Sequence, residues 1–356
     1  MRITIIGAGN AGSTIAADLA TKGHNITLLK TSTRLHNEHF DFLKEHGYIV
    51  LDEGGQKKKA SLSCVTTSFD EALTPDTELI IVYVQTNYHE EIIERIVPFL
   101  HDGQMVLFEP GYLSTAYLIN NTNKKVISIE AESSPIDCRI IEPGYCKVLF
   151  RNVRNPIGVY PKESSSEVFE RLKELDYNFC LTESVIEAAL HNPNLIVHTI
   201  GAIMSVPRIE YTHGEYWMYK EVFTPKVWNL VECLDKEKMR VLQALGLNPV
   251  KYVEACKYRN FIDENIGAKE AFFDYANNHS PKGPSMPDSR YITEDVSQGL
   301  CLLESLGEVL GIETRITTSL IDIASALLQR DFRREGRNVN RLGIDTIRKI
   351  VSDMDE

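Results

Sequence analysis

The chain has 356 residues, enough for about two domains, each with its own core. Asp and Glu total 50 against 38 for Lys and Arg, a formal net charge of −12, and that balance argues against a nucleic-acid partner, because phosphate backbones attract basic proteins. No apolar run approaches the roughly 20 residues that span a bilayer, so no membrane partner is expected, and the first apolar stretch is too short and glycine-broken for a secretory signal.

The first predicted element is a strand from Ile3 to Ile6 that stops at Gly7. Gly7, Gly9 and Gly12 then fill a G-x-G-x-x-G pattern, with Asn10 and Ala11 inside it, before a helical stretch carrying Ile15, Ala16, Leu19 and Ala20. Each glycine has a physical reason: one permits the sharp turn, one lets a pyrophosphate approach the backbone, and one lets the helix pack on the strand. The free N–H groups at the helix N-terminus then face the phosphate charge. A Gly-rich turn in some other α/β protein is the plain alternative. The second strand, Ile26 to Leu29, stands where a βαβ unit would put it and favours dinucleotide binding.

Lys30 follows that strand, with Ser32 and Arg34 close behind. NAD sites usually place Asp or Glu here to hold the ribose 2′-OH, whereas a Lys and an Arg attract a 2′-phosphate. The cofactor reading therefore leans to NADP(H), against the bland reading of Lys30 and Arg34 as solvated charges. Strand-like runs recur at 48–51, 61–66, 79–84 and 105–108, with helical stretches near 35–46, 87–100 and 112–120. This alternation predicts a Rossmann-type, doubly wound, mostly parallel sheet. Val84, Gln85 and Thr86 should face the cofactor across the switch point, and the turns at Glu109-Pro110-Gly111 and Glu130 to Ser133 should share that rim. From Cys138 to Tyr160 short β runs suggest an antiparallel extension of the same sheet, and a helix near 164–175 completes a first domain over 1–182.

Beyond Thr182 the period is helical, with helices expected at about 183–205, 224–245, 249–257, 267–276, 294–310, 314–330 and 340–353. The second domain, 183–356, is therefore read as all-α, and the substrate is expected in a cleft between domains. Tyr216, Trp217, Tyr219, Phe223 and Trp228 form an aromatic-rich stretch that reads as core, with a dimer face or substrate lid as alternatives. The basic segment 329–341 reads as a solvated turn between helices, or as a carboxylate or phosphate attractor. Seven cysteines lack C-x-x-C spacing, so a reducing cytoplasm and no metal site are expected.

Two segments carry candidate chemistry. Asn192 can cap a helix with Pro193 at its first position, and Asn194 and His198 then lie four apart on one face. His198 reads either as a core histidine satisfied by a backbone carbonyl or as a proton-transfer group. In the second segment, Arg290 to Val296, Asp295 favours the helix dipole. Its functional reading sets it against the His198 ring, fixing the tautomer, with Arg290 left to take a carboxylate as a fork.

On these motifs, together with AESSPIDCRI (131–140), the 215–246 segment and RYITEDVSQGL (290–300), the chain resembles the opine dehydrogenases of the octopine/nopaline group. The resemblance runs over nearly the whole length. It implies a 6-phosphogluconate-dehydrogenase-like helical domain and reductive joining of a 2-oxo acid to an amino acid's amine. It also implies His198 as the acid/base, Asp295 as its partner and Arg290 as the oxo-acid anchor. Ser297 departs from the family's frequent Pro after the EDV element. Small-molecule substrates and a homodimer are the expected partners. The rival reading is a 2-hydroxy-acid or ketopantoate-type reductase of the same layout, which commonly uses a lysine on the corresponding helix. No lysine occurs from Thr182 to Pro207. A non-catalytic NADPH-binding sensor is a further alternative.

Overall fold

Strand β1 (Arg2–Ile6) buries four residues in succession, three isoleucines and Thr4, the pattern of a strand covered on both faces. The computed structural model describes residues 1–263 and 265–355 and divides into two units, Met1–Val185 and Ile186–Asp355. All strands among the described residues lie in the first unit. After β1 come β2 (Asn25–Leu29), β3 (Tyr48–Glu53), β4 (Gln56–Ser61), β5 (Cys64–Thr66), β6 (Leu79–Val82), β7 (Met105–Phe108) and β8 (Ile127–Ala131). β9 (Ile136–Glu142), β10 (Tyr145–Arg151), β11 (Asn155–Tyr160) and β12 (Phe179–Leu181) complete the set.

The larger sheet has the order β12-β11-β8-β7-β6-β1-β2-β5. Strands β5, β2, β1, β6, β7 and β8 run parallel, and the strand order reverses beside β1, which makes the β1/β6 boundary the switch point of a Rossmann fold. Strand β11 opposes its neighbour β8.

The smaller sheet, β4-β3-β10-β9, departs from the expected layout. The runs at 48–51 and 138–151 do not extend the main sheet. They pair with each other, β3 parallel to β10 and β9 antiparallel to it, and of the expected antiparallel extension β11 alone joins the main sheet. The expected strand at 61–66 divides into the end of β4 and the whole of β5. β4 was illegible because Lys57, Lys58 and Lys59 are exposed on it, the charged dress of an edge strand. Gly54 and Gly55, both at positive φ, close the two-residue β3–β4 hairpin.

The helix Asn10–Thr21 packs against strands of both sheets and is tied down at each end. Asn10 Oδ1 accepts the Ile140 N–H at 2.7 Å. Near the other end Asp18, 3% exposed, takes Arg151 Nη2 at 2.6 Å, Lys22 Nζ at 3.1 Å and the Tyr177 hydroxyl at 2.8 Å. Burial alone would raise the Asp18 pKa, but Arg151, Lys22 and Tyr177 outweigh it and hold it below the usual carboxylate value.

Helices and connecting loops, with no strand, make up the described residues of the second unit. Its longest elements are Asn194–Thr212 and Pro225–Ala244. The predicted 183–205 helix is broken at His191-Asn192-Pro193, where Pro restrains its predecessor from helical geometry. The aromatic stretch is mainly core: Tyr216, Phe223 and Trp228 are buried, and Trp228 meets the Phe272 ring at 4.9 Å. No helix among the described residues is long and apolar enough to cross a membrane.

Removing the Asp18 carboxylate strands a half-buried guanidinium and a buried phenol. Asp18→Ala should therefore lower the unfolding free energy by about 3 kcal/mol in urea titration, and an unchanged midpoint would refute this account of the helix anchor.

Candidate functional site

In the first unit the glycine turn is closed by contact rather than by side chains. Gly7 has φ +115°, its N–H donates to the Leu29 carbonyl at 2.8 Å, and a Cβ there would stand 2.5 Å from the Tyr83 carbonyl oxygen. A Cβ on Gly12 would overlap the Gly7 carbonyl oxygen, so this residue is what lets the helix sit on the strand. Gly9 differs: the nearest atoms to a Cβ there are the His36 ring's Cδ2 and Nε2, at 3.6 and 3.7 Å. Its bare backbone and the helix that starts at Asn10 form a cradle that fits a dinucleotide pyrophosphate.

The residues after β2 behave less simply than solvated charges. Lys30 is 6% exposed, its ammonium donates to the Ser32 carbonyl, and burial lowers its pKa. Ser32 Oγ accepts the Arg34 N–H at 3.2 Å, and Arg34 is the exposed cation of the loop. Across the switch point, the Val84 carbonyl accepts His89 Nε2–H at 3.0 Å while His89 Nδ1 meets Ser114 Oγ at 2.7 Å. That pair holds the 84–86 loop, in which Gln85 is half-buried and Thr86 buried. Sequence reasoning treated 109–111 as a rim loop and missed a specific contact. The Tyr83 hydroxyl donates to Glu109, whose carboxyl is pushed well up by burial.

In the second unit, His198 lies on the helix Asn194–Thr212, buried to 6% exposure, and its Nδ1 is 2.8 Å from Asp295 Oδ2. The carboxylate accepts a hydrogen bond from Nδ1–H, which leaves Nε2 as the open position of the ring. Nε2 has no hydrogen bond among the described residues. Asp295 opens a π-helical turn, Asp295–Leu300, that follows the short helix Arg290–Thr293; such turns carry one residue more than an α-turn. Tyr291 lies flat on the imidazole, with centroids 3.7 Å apart and planes 6° from parallel, a contact that sequence reading did not supply, although Tyr291 adjoins Arg290. Arg290 is half exposed, with Nε 3.9 Å from Glu294 Oε2. Asn194 is half-buried one turn before His198. Its N–H bonds Asn192 Oδ1 at 3.0 Å, and it makes no hydrogen bond to the imidazole among the described residues.

Upstream, His191 fixes the start of this helix. Its Nε2–H donates to the Asn248 carbonyl at 2.9 Å and its Nδ1 faces Lys238 Nζ at 3.4 Å. Burial and that ammonium push its pKa down to about 3. No cluster of metal-ligating side chains occurs among the described residues.

Residues 181–328 match the family model described as NAD/NADP octopine/nopaline dehydrogenase, alpha-helical domain, and residues 3–109 match ketopantoate reductase PanE/ApbA. An opine dehydrogenase of Arthrobacter sp. (strain 1C) is 26% identical over 96% of this chain and 94% of its own length. Among solved structures, octopine dehydrogenase with NADH and agmatine matches at TM-score 0.78, with 15% identity over 99% of this chain and 98% of that one. Yersinopine dehydrogenase with NADP+ bound matches at TM-score 0.73, with 16% identity over 100% and 98%.

The two glycine environments predict opposite phenotypes. Gly12→Ala should destabilise the first unit, read as a lower Tm, because its Cβ meets backbone. Gly9→Ala should keep its Tm and lose dinucleotide affinity, read by quenching of protein fluorescence. The reverse pattern would overturn these assignments.

Proposed function

Because the chain belongs to the opine dehydrogenase family and is an NAD(P)-dependent oxidoreductase acting on CH–NH bonds, we propose that it joins a 2-oxo acid to the amino group of an amino acid, with NADP(H) as cofactor and His198 as general acid/base. The observation that carries this reading is the 2.8 Å bond between His198 Nδ1 and Asp295, with Nε2 left open.

The amine adds to the oxo carbon, giving a carbinolamine, which loses water to an imine. A bound reduced nicotinamide would supply the hydride that the imine carbon needs, and a proton completes the secondary amine. His198 serves the proton steps: Nε2 takes a proton from the attacking nitrogen and returns one to the departing hydroxyl. Positioned proton transfer of this kind is worth roughly 10² to 10⁴ in rate. Asp295 keeps Nδ1 protonated and stabilises the imidazolium when it forms. Arg290, half exposed, takes the oxo-acid carboxylate as a fork, and Asn194 contacts substrate from the same helix as His198.

Gly7, Gly9, Asn10, Ala11 and Gly12 hold the pyrophosphate, and Val84, Gln85 and Thr86 the nicotinamide side. For the 2′-phosphate the support is chemical. No carboxylate stands in the loop 30–36 after β2, Arg34 is exposed there, and Lys30 adds a buried positive charge beside it. A simple oxo-acid reductase is the second reading, favoured by the match of residues 3–109 to ketopantoate reductase; the absence of lysine from Thr182 to Pro207 weighs against it.

Purified protein should oxidise NADPH only when a 2-oxo acid and an amino acid are both present. His198→Ala should abolish turnover while NADPH still binds; full activity in that variant, or turnover with the oxo acid alone, would sink the proposal. NADPH should also bind at least tenfold tighter than NADH in direct titration, and Arg34→Met should narrow that gap. Tighter NADH binding would overturn the cofactor preference.

A further inference from the structure

His36 occupies a position that local structure does not explain. It is the N-terminal cap of the helix Asn37–His46, yet its side chain makes no capping bond, where Ser, Thr, Asp or Asn would satisfy an orphan N–H. Its backbone is left-handed, φ 57° and ψ 32°, a conformation that Gly and Asn adopt at least cost. Neither demand selects an imidazole.

The ring itself points to the reason. Cδ2 and Nε2 lie 3.6 and 3.7 Å from where a Gly9 Cβ would stand, so the imidazole edge borders the open space above Gly9. Gly9 is the middle glycine of the motif, the one over which a pyrophosphate approaches the backbone. Strained backbone that delivers a polar side chain to such a place is a mark of function.

We propose that His36 is a binding residue for the pyrophosphate of the dinucleotide, its Nε2–H donating to a phosphate oxygen above Gly9. This rests on the dinucleotide-binding reading of the first unit and on nothing assigned to His198. It separates His36 from the residues that read the 2′-phosphate, because a pyrophosphate contact serves NADH and NADPH alike.

His36→Asn is the informative variant, since Asn suits both the left-handed backbone and the capping position and should leave Tm unchanged or raised. The full-length protein is titrated with NADH and with NADPH in the absence of substrates. His36→Asn, whose amide is too short to reach the phosphate, should weaken both by about tenfold, the usual scale for losing a hydrogen bond to a charged group, and His36→Gln, which carries an N–H donor one methylene further out, should recover part of the loss. Arg34→Met, by contrast, should weaken NADPH alone. Unchanged affinity in His36→Asn would overturn the assignment, as would a loss confined to NADPH, or a fall in Tm with the loss in both His36 variants. Absence of dinucleotide binding by the unaltered protein would instead defeat the underlying reading of the unit.

Discussion

A hydrogen bond between residues 97 positions apart, His198 and Asp295, ties two distant segments of the second unit together. Neither partner is chemically useful alone. An imidazole in an apolar helix is a core side chain, and a carboxylate buried to 2% exposure is costly unless something accepts its charge. Together they orient the ring and leave one nitrogen open. The surroundings restrict the imidazole further: Tyr291 covers one face, and the polar cluster of His191, Lys238 and Asp235 secures the start of the helix that carries it.

The first unit solves a different problem, holding a helix N-terminus close to a strand end. The solution is backbone contact at Gly7 and Gly12, with the helix gripped by two sheets. Asn10 bonds β9 at one end, and Asp18 bonds Arg151 of β10 at the other. Arg151 continues to Glu53 on β3 at 2.6 Å, so the smaller sheet is joined to the helix by charge as well as by packing.

Legibility in the sequence tracks the range of each interaction. The glycine motif, the strand after it and the switch-point loop could be read because their constraints are local, a matter of φ, Cβ clearance and strand period. The pairing of His198 with Asp295 could be offered from residue chemistry and from the family resemblance, but no periodicity connects the two segments, so only the structure brings them together. The smaller sheet was misread because β3 and β10 meet across more than 90 intervening residues, and because the lysines of β4 hide a strand behind loop-like composition. Tyr291 and His36 escaped for another reason. Ring stacking and a left-handed cap depend on backbone geometry that residue type alone does not announce.

The π-helical turn at Asp295–Leu300 carries a consequence for how this site can vary. Its extra residue is, in effect, an insertion absorbed within a helix, and all six residues are buried. The turn is clasped from outside: the Arg337 N–H bonds the Ser297 carbonyl at 2.9 Å, and Gly336 approaches that carbonyl so closely that no larger residue fits. Deleting one residue would return the segment to α-helical phase and rotate the upstream residues by about 100° against the downstream helix. The carboxylate would leave the imidazole even though every side chain of the pair survived. Length, more than identity, is thus the fragile property of this stretch, and natural variation should proceed by substitution here and confine its insertions and deletions to the surface loops.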